Sequence, residues 1–335
     1  MFSMKLFFLL TSLLSFFMVD SQKTLYGEAQ GTTYTIQYND SLNRDFQNEI
    51  DSLLYFFDLS VSTYQPESVI SAINRNELKE TDDSVFLYCF RFAKEIWRET
   101  KGNFDPTVYP LVNAWGFGPE RKKEGEMKSA AIDSILQFVG FEKIEVSSSG
   151  MITKRDARVS LDFNAFAQGY SVDVVSNFLQ SKGIKTALIE IGGEVFGLND
   201  LDFYWLLGVE SPAYNTDSKN DTQLSLKIHN KGVATSGNYR KYREIEGQKL
   251  SHHIHPKTGR PTQNRLLSAT VISNHTILSD ATATGLLVMG LKSSKKYLRT
   301  HKEIDAMMIY ASMKGKFKVY KTKGFRKMEV DNKDK

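Results

Sequence analysis

The chain has 335 residues, of which 41% are hydrophobic and 24% charged, and its formal net charge is +4. This composition excludes a disordered chain, and the length suits one large two-lobed domain or two ordinary ones. The basic surplus falls chiefly in residues 314–335, which indicates a solvated tail. Because no aromatic residues interleave with a basic stripe, we expect no nucleic-acid partner.

The amino terminus has the pattern of an export signal. Lys5 precedes a largely apolar run over residues 6–19, which is short for a membrane span and suits a secretory signal. We predict a signal peptide over residues 1–21, cleaved close to Ser21, and therefore an exported protein. An uncleaved membrane anchor is the alternative. The only cysteine, Cys89, lies in an apolar stretch, so it is expected to be a buried hydrophobic group without a disulfide partner.

The first half of the chain opens with a strand and continues with helices. Alternation of polar and apolar residues predicts a strand over residues 32–38. Apolar residues at helical spacing then predict helices at 45–57, 83–99 and 130–138. The charged stretch 119–128 is expected to be a surface loop, and a soft domain boundary is placed at 118–125.

The second half mixes strands with helices. A strand is predicted over residues 159–163 and a helix over 165–181, with Asn164 as the natural N-cap. Further helices are predicted at 281–289 and 293–301. Strand-like runs lie at 187–191, 204–209, 224–228, 269–272, 306–310 and 317–320. This mixture favours an α+β fold with mixed, largely antiparallel sheets over a strictly alternating parallel sheet.

Asp280 and Thr284 are the first candidates for a metal site. They are four residues apart, so they would lie on one face at the start of a helix, and both offer hard oxygen ligands. Mg²⁺ prefers one or two carboxylates, completed by hydroxyl, carbonyl, water and phosphate oxygens. The pair therefore predicts an open metal site with Asp280 as an exposed ligand. In the alternative, Asp280 only caps the helix and Thr284 packs.

The segment 161–170 joins the predicted strand to the predicted helix. Free N–H groups at the start of that helix would attract an anion such as a diphosphate. Gly169 is a poor helix former, and its place inside the first turns indicates close approach by a ligand or by another backbone. The alternative is that Asp162 and Asn164 merely compete to cap the helix.

Two loops complete the set of candidates. Gly192 and Gly193 follow a strand and predict a plain turn, or else a loop where a ligand reaches the main chain. Half of the histidines lie together beside a loop bounded by proline and glycine, namely His252, His253 and His255. Because their spacing matches no common zinc site, a general base or a phosphate-orienting imidazole is favoured over zinc. A solvated polar loop is the alternative.

Several short motifs follow one another in a distinctive order. They are Gly31-Thr32-Thr33-Tyr34, Ser62-Thr63-Tyr64 with Ser68, Phe104-Asp105-Pro106-Thr107, Asp162 with Ala167-Gln168-Gly169-Tyr170 and Asp173, Ile191-Gly192-Gly193-Glu194, Ala234-Thr235-Ser236-Gly237, His252 with Pro256 and Thr258-Gly259-Arg260-Pro261, and Asp280 through Thr284. In this order and spacing the sequence resembles the ApbE-type FAD:protein FMN transferases. The resemblance covers residues 24–323 and leaves a basic tail at 324–335.

The resemblance implies an α+β fold with two lobes around a nucleotide cleft. It also implies a Mg²⁺-dependent reaction that splits FAD at its diphosphate, joins FMN through its phosphate to a threonine or serine of an exported flavoprotein, and releases AMP. The implied acceptors are subunits of sodium-pumping (Nqr) or Rnf-type redox complexes. We therefore expect a periplasmic protein, at or near the outer face of the inner membrane.

The resemblance also implies roles for individual residues. Mg²⁺ would be held by Asp280 and Thr284 and by main-chain oxygens near Ala165 and Ala283. His252 would deprotonate the attacking hydroxyl or orient the diphosphate. The implied FAD contacts are Gln30, Tyr64, Asn103, Phe104, Asp105, Asp162, Gln168 and Ile254.

Three features depart from the family's usual pattern. Gln168 stands where lysine or glutamate is frequent, His255 replaces an aspartate before the proline, and no lipid-attachment cysteine follows the signal. Two rival functions stay open at this stage. One is an FAD diphosphatase, in which water replaces the protein hydroxyl, and the other is an exported flavin-binding protein without turnover.

Overall fold

A computed structural model describes residues 21–119, 127–200, 203–209, 224–238, 242–245 and 248–330. Residues 1–20 of the predicted signal peptide, and most of the predicted loop and boundary at 118–128, lie outside these ranges. The helices are α1 (Gln47–Val61), α2 (Val69–Asn74), α3 (Ser84–Glu99), α4 (Tyr109–Ala114), α5 (Ser129–Leu136), α6 (Ala167–Ser181), α7 (Thr276–Thr300) and α8 (Lys323–Met328). No helix within the described ranges is long and apolar enough to cross a membrane.

An eight-stranded antiparallel sheet forms the centre of the fold, in the order β1-β2-β5-β6-β9-β12-β13-β14. The strands are β1 (Ser21–Ala29), β2 (Thr32–Asp40), β3 (Ile144–Val146), β4 (Ile152–Lys154), β5 (Ala187–Ile191), β6 (Glu194–Leu198), β7 (Trp205–Val209), β8 (Leu224–Ile228), β9 (Lys231–Gly237), β10 (Tyr242–Ile245), β11 (Gln248–Ser251), β12 (Leu266–Ser273), β13 (Asp305–Ala311), β14 (Phe317–Lys321) and β15 (Glu329–Val330). The predicted α+β class with largely antiparallel sheets is confirmed.

Helices α6 and α7 cover one face of the large sheet. Val172 and Val175 of α6 pack with Ile189 of β5, and Leu286 of α7 packs with Val271 of β12. Each helix therefore presents an apolar stripe to the sheet. This packing fixes α6 and α7 side by side over the middle of the sheet.

The other face of the sheet is covered by the small sheet of β7, β8 and β15 together with α8. Ile228 of β8 and Phe325 of α8 pack in one apolar cluster with Ile272 of β12. Because β12 is covered on both faces, nearly all of its side chains are buried and the usual alternation is lost. The expectation of a solvated tail from residue 314 is therefore wrong in part: residues 314–319 are exposed, but Phe325 is fully buried, and β14, α8 and β15 are parts of the fold.

Helices α1, α2 and α3 pack outside α6 around an aromatic cluster. Phe86 of α3 and Phe163 lie in this cluster with their ring centroids 5.7 Å apart. Cys89 is fully buried in the same cluster, as predicted, and its burial raises the pKa of the thiol well above its usual value. The thiol is therefore a packing group.

The predicted strand at residues 159–163 is wrong. Val159, Leu161 and Phe163 do point into the aromatic cluster, which explains the alternating pattern, but no strand pairs with them. Instead, the side-chain amide of Asn74 accepts a hydrogen bond from the Leu161 N–H at 2.7 Å and donates to its carbonyl at 2.8 Å. One amide side chain thus replaces a neighbouring strand.

The ends of the two central helices also differ from the prediction. Helix α6 begins at Ala167, its N-cap is Phe166, and no side chain caps it, so the prediction of Asn164 as N-cap is wrong. Helix α7 begins at Thr276, several residues earlier than predicted. The two helices predicted at 281–289 and 293–301 are the parts of α7 on either side of Gly290, whose φ of 71° interrupts the helix.

Helices α6 and α7 are in close contact at Gly169. A Cβ atom at this position would lie 2.6 Å from the carbonyl oxygen of Thr276 and 2.7 Å from the Cβ atom of Asp280. The glycine predicted to allow a close approach therefore admits another backbone. No larger residue fits without moving the helices apart.

We expect Gly169→Ala to destabilise the protein by about 1–3 kcal/mol, because the added methyl group overpacks the contact between α6 and α7. Gly285→Ala is the matched control in α7, since its Cβ would lie 3.6 Å from Thr100, an ordinary contact. Alanine there should leave stability unchanged or raise it by up to about 1 kcal/mol. Urea unfolding measures both, and equal stabilities of the two variants would contradict the proposed close contact.

Candidate functional site

The approach to helix α6 forms the first part of the site. The Asp162 carboxylate accepts a hydrogen bond from the Asn164 N–H at 2.8 Å, and Asn164 donates from its amide to Thr63 Oγ1 at 3.3 Å. Neither side chain caps the helix, so the capping alternative is wrong. Burial raises the pKa of Asp162 to about 6. The segment thus places a carboxylate next to an uncapped helix start.

Two aspartates join α6 to α7. Asp173 in α6 accepts hydrogen bonds from the N–H groups of Thr276 at 2.8 Å and Ile277 at 3.0 Å, so it caps α7 from a neighbouring helix. Asp280 in α7 accepts from the Gly169 N–H at 3.0 Å. It is only 6% exposed, so the expectation of an exposed ligand is wrong, and Asp280 does not cap its own helix.

The residues predicted to bind metal offer one carboxylate and several neutral oxygens. Burial, reinforced by the charge of Asp173, raises the pKa of Asp280 well above its usual value. Thr284 lies one turn further along α7, with its hydroxyl 3.2 Å from that of Ser236. Within the described ranges, no three His, Cys, Asp or Glu side chains are close enough together to hold a metal ion. The donor set therefore fits a hard cation such as Mg²⁺, which would stabilise the buried carboxylate.

Gln30 approaches α6 from the tight turn between β1 and β2. Its backbone is left-handed, with φ of 55°, and its side-chain oxygen accepts a hydrogen bond from Ser171 at 3.3 Å. Burial raises the pKa of the neighbouring Asp58 to about 6, and hydrogen bonds from the Gln30 side chain and main chain offset part of the rise. Gln30 thus links the turn between β1 and β2 to Ser171 of α6 and to the Asp58 carboxylate of α1.

Gln168 lies under the turn between β5 and β6. Gly192 and Gly193 form this two-residue turn with φ values of 64° and 102°, so the predicted turn is confirmed, and the approach of a ligand to its main chain stays a prediction. A Cβ atom on Gly192 would lie 2.7 Å from the side-chain nitrogen of Gln168. The glycine therefore leaves room for the Gln168 amide.

Asp105 holds together the segment after α3. Its carboxylate accepts hydrogen bonds from the Thr107 N–H and hydroxyl, at 2.8 and 2.6 Å, and from the Phe141 N–H at 3.1 Å. Burial raises the pKa of Asp105 to about 6. Asp105 also lines a cavity of about 640 Å³ that reaches Pro256 and Lys257. Asp105 thus has a structural role, and its contact with FAD stays a prediction.

The remaining predicted FAD contacts differ in exposure. The Phe104 ring is buried, with its centroid 6.0 Å from that of Phe166 at the start of α6. The Asn103 side chain donates to the Thr100 carbonyl at 2.6 Å. Tyr64 is 58% exposed beside the Thr63 that Asn164 contacts. The described contacts thus connect residues 63–64, 103–105 and 162–168 around the start of α6.

The histidine-rich loop is packed against α4 and α5. Ile254 is buried among Leu111, Trp115 and Ile132, and the Trp115 indole N–H donates to the Gly259 carbonyl at 2.8 Å. The alternative of a solvated polar loop is therefore wrong for this part of the loop. The side chain of Ile254 belongs to the core, and its predicted contact with FAD stays a prediction.

The rings of His252 and His253 are in contact within this loop, tilted by 40° to each other. Their ring centroids are 3.9 Å apart, and the His252 ring is also 6.4 Å from that of Phe117. His252 is partly exposed, whereas His253 is 6% exposed. Asn238, two residues beyond the Ser236 that contacts Thr284, lies 2.9 Å from His253 Nδ1. The loop is thereby connected to the proposed metal residues through the end of β9.

The sequence patterns do not predict the roles of Asp58, Asp173 and Asn238. Asp58 could have been found, because it follows Ile50 and Leu54 at intervals of four and so continues the buried stripe of α1. An acidic residue on an apolar stripe is unusual. Asn238 gave no sequence signal, since its contact with His253 depends on strand pairing.

We expect the stability of the protein to fall as the pH rises from about 4 to about 6. The pKa of Asp105 is about 6 in the folded protein and about 3.9 when unfolded, so between these values the folded state binds more protons. The Asp105 contribution is fully present below pH 4 and lost above pH 6. Asp105→Asn should remove up to about 3 kcal/mol of this decline.

Urea unfolding at several pH values measures the effect of Asp105→Asn. Asp133→Asn, which changes an exposed carboxylate of α5, is the control and should follow the wild-type protein. If the free energy of unfolding depended on pH in the same way for Asp105→Asn and for the wild-type protein, the pKa of Asp105 would not be raised in the folded state.

Comparison with known proteins identifies the family. The profile of the ApbE family matches residues 30–308. An FAD:protein FMN transferase of Vibrio cholerae is 34% identical over 91% of this chain and 92% of its own, and one of Escherichia coli K12 is 30% identical over 87% and 83%. The solved structure of the flavin transferase ApbE from Vibrio cholerae is 31% identical, with a TM-score of 0.82 over 92% of this chain and all of that one. The apo flavinyl transferase ApbE from Pseudomonas stutzeri is 27% identical, with a TM-score of 0.80 over 92% and 97%. The predicted resemblance is confirmed, and the chain belongs to the ApbE family.

Proposed function

We propose that this protein is a Mg²⁺-dependent FAD:protein FMN transferase. The observation that carries the proposal is the junction of α6 and α7, where Asp280 accepts a hydrogen bond from Gly169 within the part of the chain that the family profile matches. Names of relatives that are at least 30% identical over most of their length support the activity.

In the proposed reaction, a threonine or serine hydroxyl of the acceptor attacks the phosphorus on the FMN side of the FAD diphosphate. A new P–O bond joins FMN to the acceptor as the bond to the AMP oxygen breaks, and AMP leaves with that oxygen. The proton of the hydroxyl passes to His252, the proposed general base. A base is needed because an alcohol is a weak nucleophile.

Asp280 and Thr284, with main-chain oxygens near Ala165 and Ala283, are the proposed ligands of Mg²⁺. The ion supplies charge neutralisation for the diphosphate oxygens when bound. Burial of Asp280 supports this assignment, because a carboxylate in that position gains from a nearby cation. We also propose that the start of α6, which no side chain caps, attracts the diphosphate.

The proposed flavin contacts surround the same helix. Gln30 supports the assignment best, because the turn between β1 and β2 brings its side chain to Ser171 in the first turns of α6. Gln168 has an amide rather than the charged group frequent in relatives, so we expect it to hydrogen-bond FAD without neutralising charge. Tyr64, Asn103, Phe104, Asp105, Asp162 and Ile254 complete the proposed set.

The place of action and the acceptor are also proposals. The apolar run at residues 6–19 supports export to the periplasm, at or near the outer face of the inner membrane. The acceptor would then be an exported flavoprotein subunit of an Nqr-type or Rnf-type redox complex.

We expect the purified protein, given FAD, Mg²⁺ and a threonine-bearing acceptor flavoprotein, to release AMP and to leave flavin fluorescence on the denatured acceptor. Changing the acceptor threonine to valine is the control and should abolish the labelling. Release of free FMN and AMP without labelling would favour the rival diphosphatase. FAD binding without AMP release would favour a flavin-binding protein.

We expect Asp280→Asn to lower the rate of Mg²⁺-dependent transfer at least about 100-fold, because the only carboxylate of the proposed metal site is lost. Asparagine keeps the volume and an oxygen for the Gly169 N–H, so the fold should persist. Asp133→Asn on the exposed face of α5 is the matched control. Wild-type activity of Asp280→Asn at saturating FAD and limiting Mg²⁺ would refute the metal assignment.

A further inference from the structure

The hydrogen bonds of Asn238 fix how its side chain is oriented. Its amide nitrogen donates to the Leu266 carbonyl at 2.9 Å, and its main-chain N–H donates to the Leu267 carbonyl at 2.8 Å. The amide oxygen of Asn238 must therefore face the other way. There it lies 2.9 Å from Nδ1 of His253 and 2.6 Å from the Ser251 hydroxyl.

This orientation determines the proton position on His253. An amide oxygen only accepts hydrogen bonds, so both Nδ1 of His253 and the Ser251 hydroxyl must donate to it. The Ser251 oxygen in turn accepts from the His253 main-chain N–H at 3.1 Å. Burial lowers the pKa of His253 well below its usual value, and His252 adds to the effect. His253 is therefore an uncharged ring with its proton on Nδ1 and a lone pair on Nε2.

The His253 ring limits the movement of His252. The two ring centroids are 3.9 Å apart at an interplanar angle of 40°, and the Phe117 ring lies 6.4 Å from His252 at 64°. His252 is thus in contact with a fixed ring and near a second one, while it remains partly exposed. An exposed histidine without such neighbours would sample several side-chain rotamers.

We propose that His253 is a positioning residue for His252: an uncharged ring, held by Asn238 and Ser251, keeps the His252 ring in place without competing for the acceptor's proton. This inference rests on the proposed function, in which His252 accepts that proton. A charged ring in the same place would oppose proton uptake by His252, because two positive rings at this separation repel each other. A base held in one orientation also reacts faster than a mobile base, because it spends less time in unproductive orientations.

Two substitutions test the ring of His253 and its hydrogen bond separately. His253→Asn keeps a donor for Asn238 but removes the ring, so we expect kcat for FMN transfer to fall about tenfold while KM for FAD stays within about twofold. His253→Phe keeps the ring and should retain kcat to within about threefold. Both are measured in the full chain with FAD, Mg²⁺ and the acceptor, together with melting temperature and FAD affinity.

The results distinguish the inference from the proposed function. A wild-type protein that transfers no FMN to the acceptor refutes the function and, with it, the inference. Transfer by the wild-type protein together with unchanged kcat in His253→Asn refutes the inference alone, as does a parallel fall in kcat, FAD affinity and melting temperature in both variants. Wild-type activity of His252→Ala also refutes the inference, because His252 would then have no role in the reaction.

Nitrogen-15 spectra of the wild-type protein give a test that needs no variant to fold. At neutral pH we expect His253 to show a protonated Nδ1 and an unprotonated Nε2. A protonated Nε2, as in a charged ring or in the other tautomer, would refute the inference whatever the kinetics.

Discussion

The contact between α6 and α7, which carries the buried carboxylates of Asp173 and Asp280, is the constraint on which the arrangement of this site depends. Asp58, Asp105, Asp162, Asp173 and Asp280 all have pKa values raised by burial, and the last two share the contact between α6 and α7. Backbone N–H groups donate hydrogen bonds to each of these carboxylates. At the contact between α6 and α7, a cation bound beside Asp280 would therefore stabilise the folded chain.

The contacts between α6 and α7 determine where these groups lie. Asp173 in α6 caps the start of α7, and Gly169 allows the two backbones to come into contact. The position of each helix therefore depends on the other. Two tight turns, one at Gln30 and one at Gly192, contact the same helix from one end of neighbouring strands of the large sheet. Residues far apart in the sequence are thereby held by a small number of main-chain contacts.

The spacing of apolar residues predicted the helices and strands that have one buried and one exposed face. It failed where a strand is buried on both faces or where a buried segment is not a strand. Strand β6 is buried at every residue, so it lacks alternation and escaped detection, whereas residues 159–163 alternate without being a strand because Asn74 replaces the neighbour. The family motifs predicted individual candidate site residues, among them Asp280 and Gln168. They could not predict that Asp280 is buried or that Asn238 orients His253, because both depend on contacts between distant segments.

The glycine contact between α6 and α7 has a consequence for ion discrimination. Because Gly169 brings main chain against main chain, the separation between the two helices cannot be adjusted by a different side-chain rotamer. Three of the residues proposed to hold the ion, Asp280, Ala283 and Thr284, belong to α7, and the fourth, Ala165, lies just before α6. The fixed separation of the two helices would then select ions by their radius. It would favour a small ion with strict octahedral coordination over a larger ion with a flexible coordination sphere.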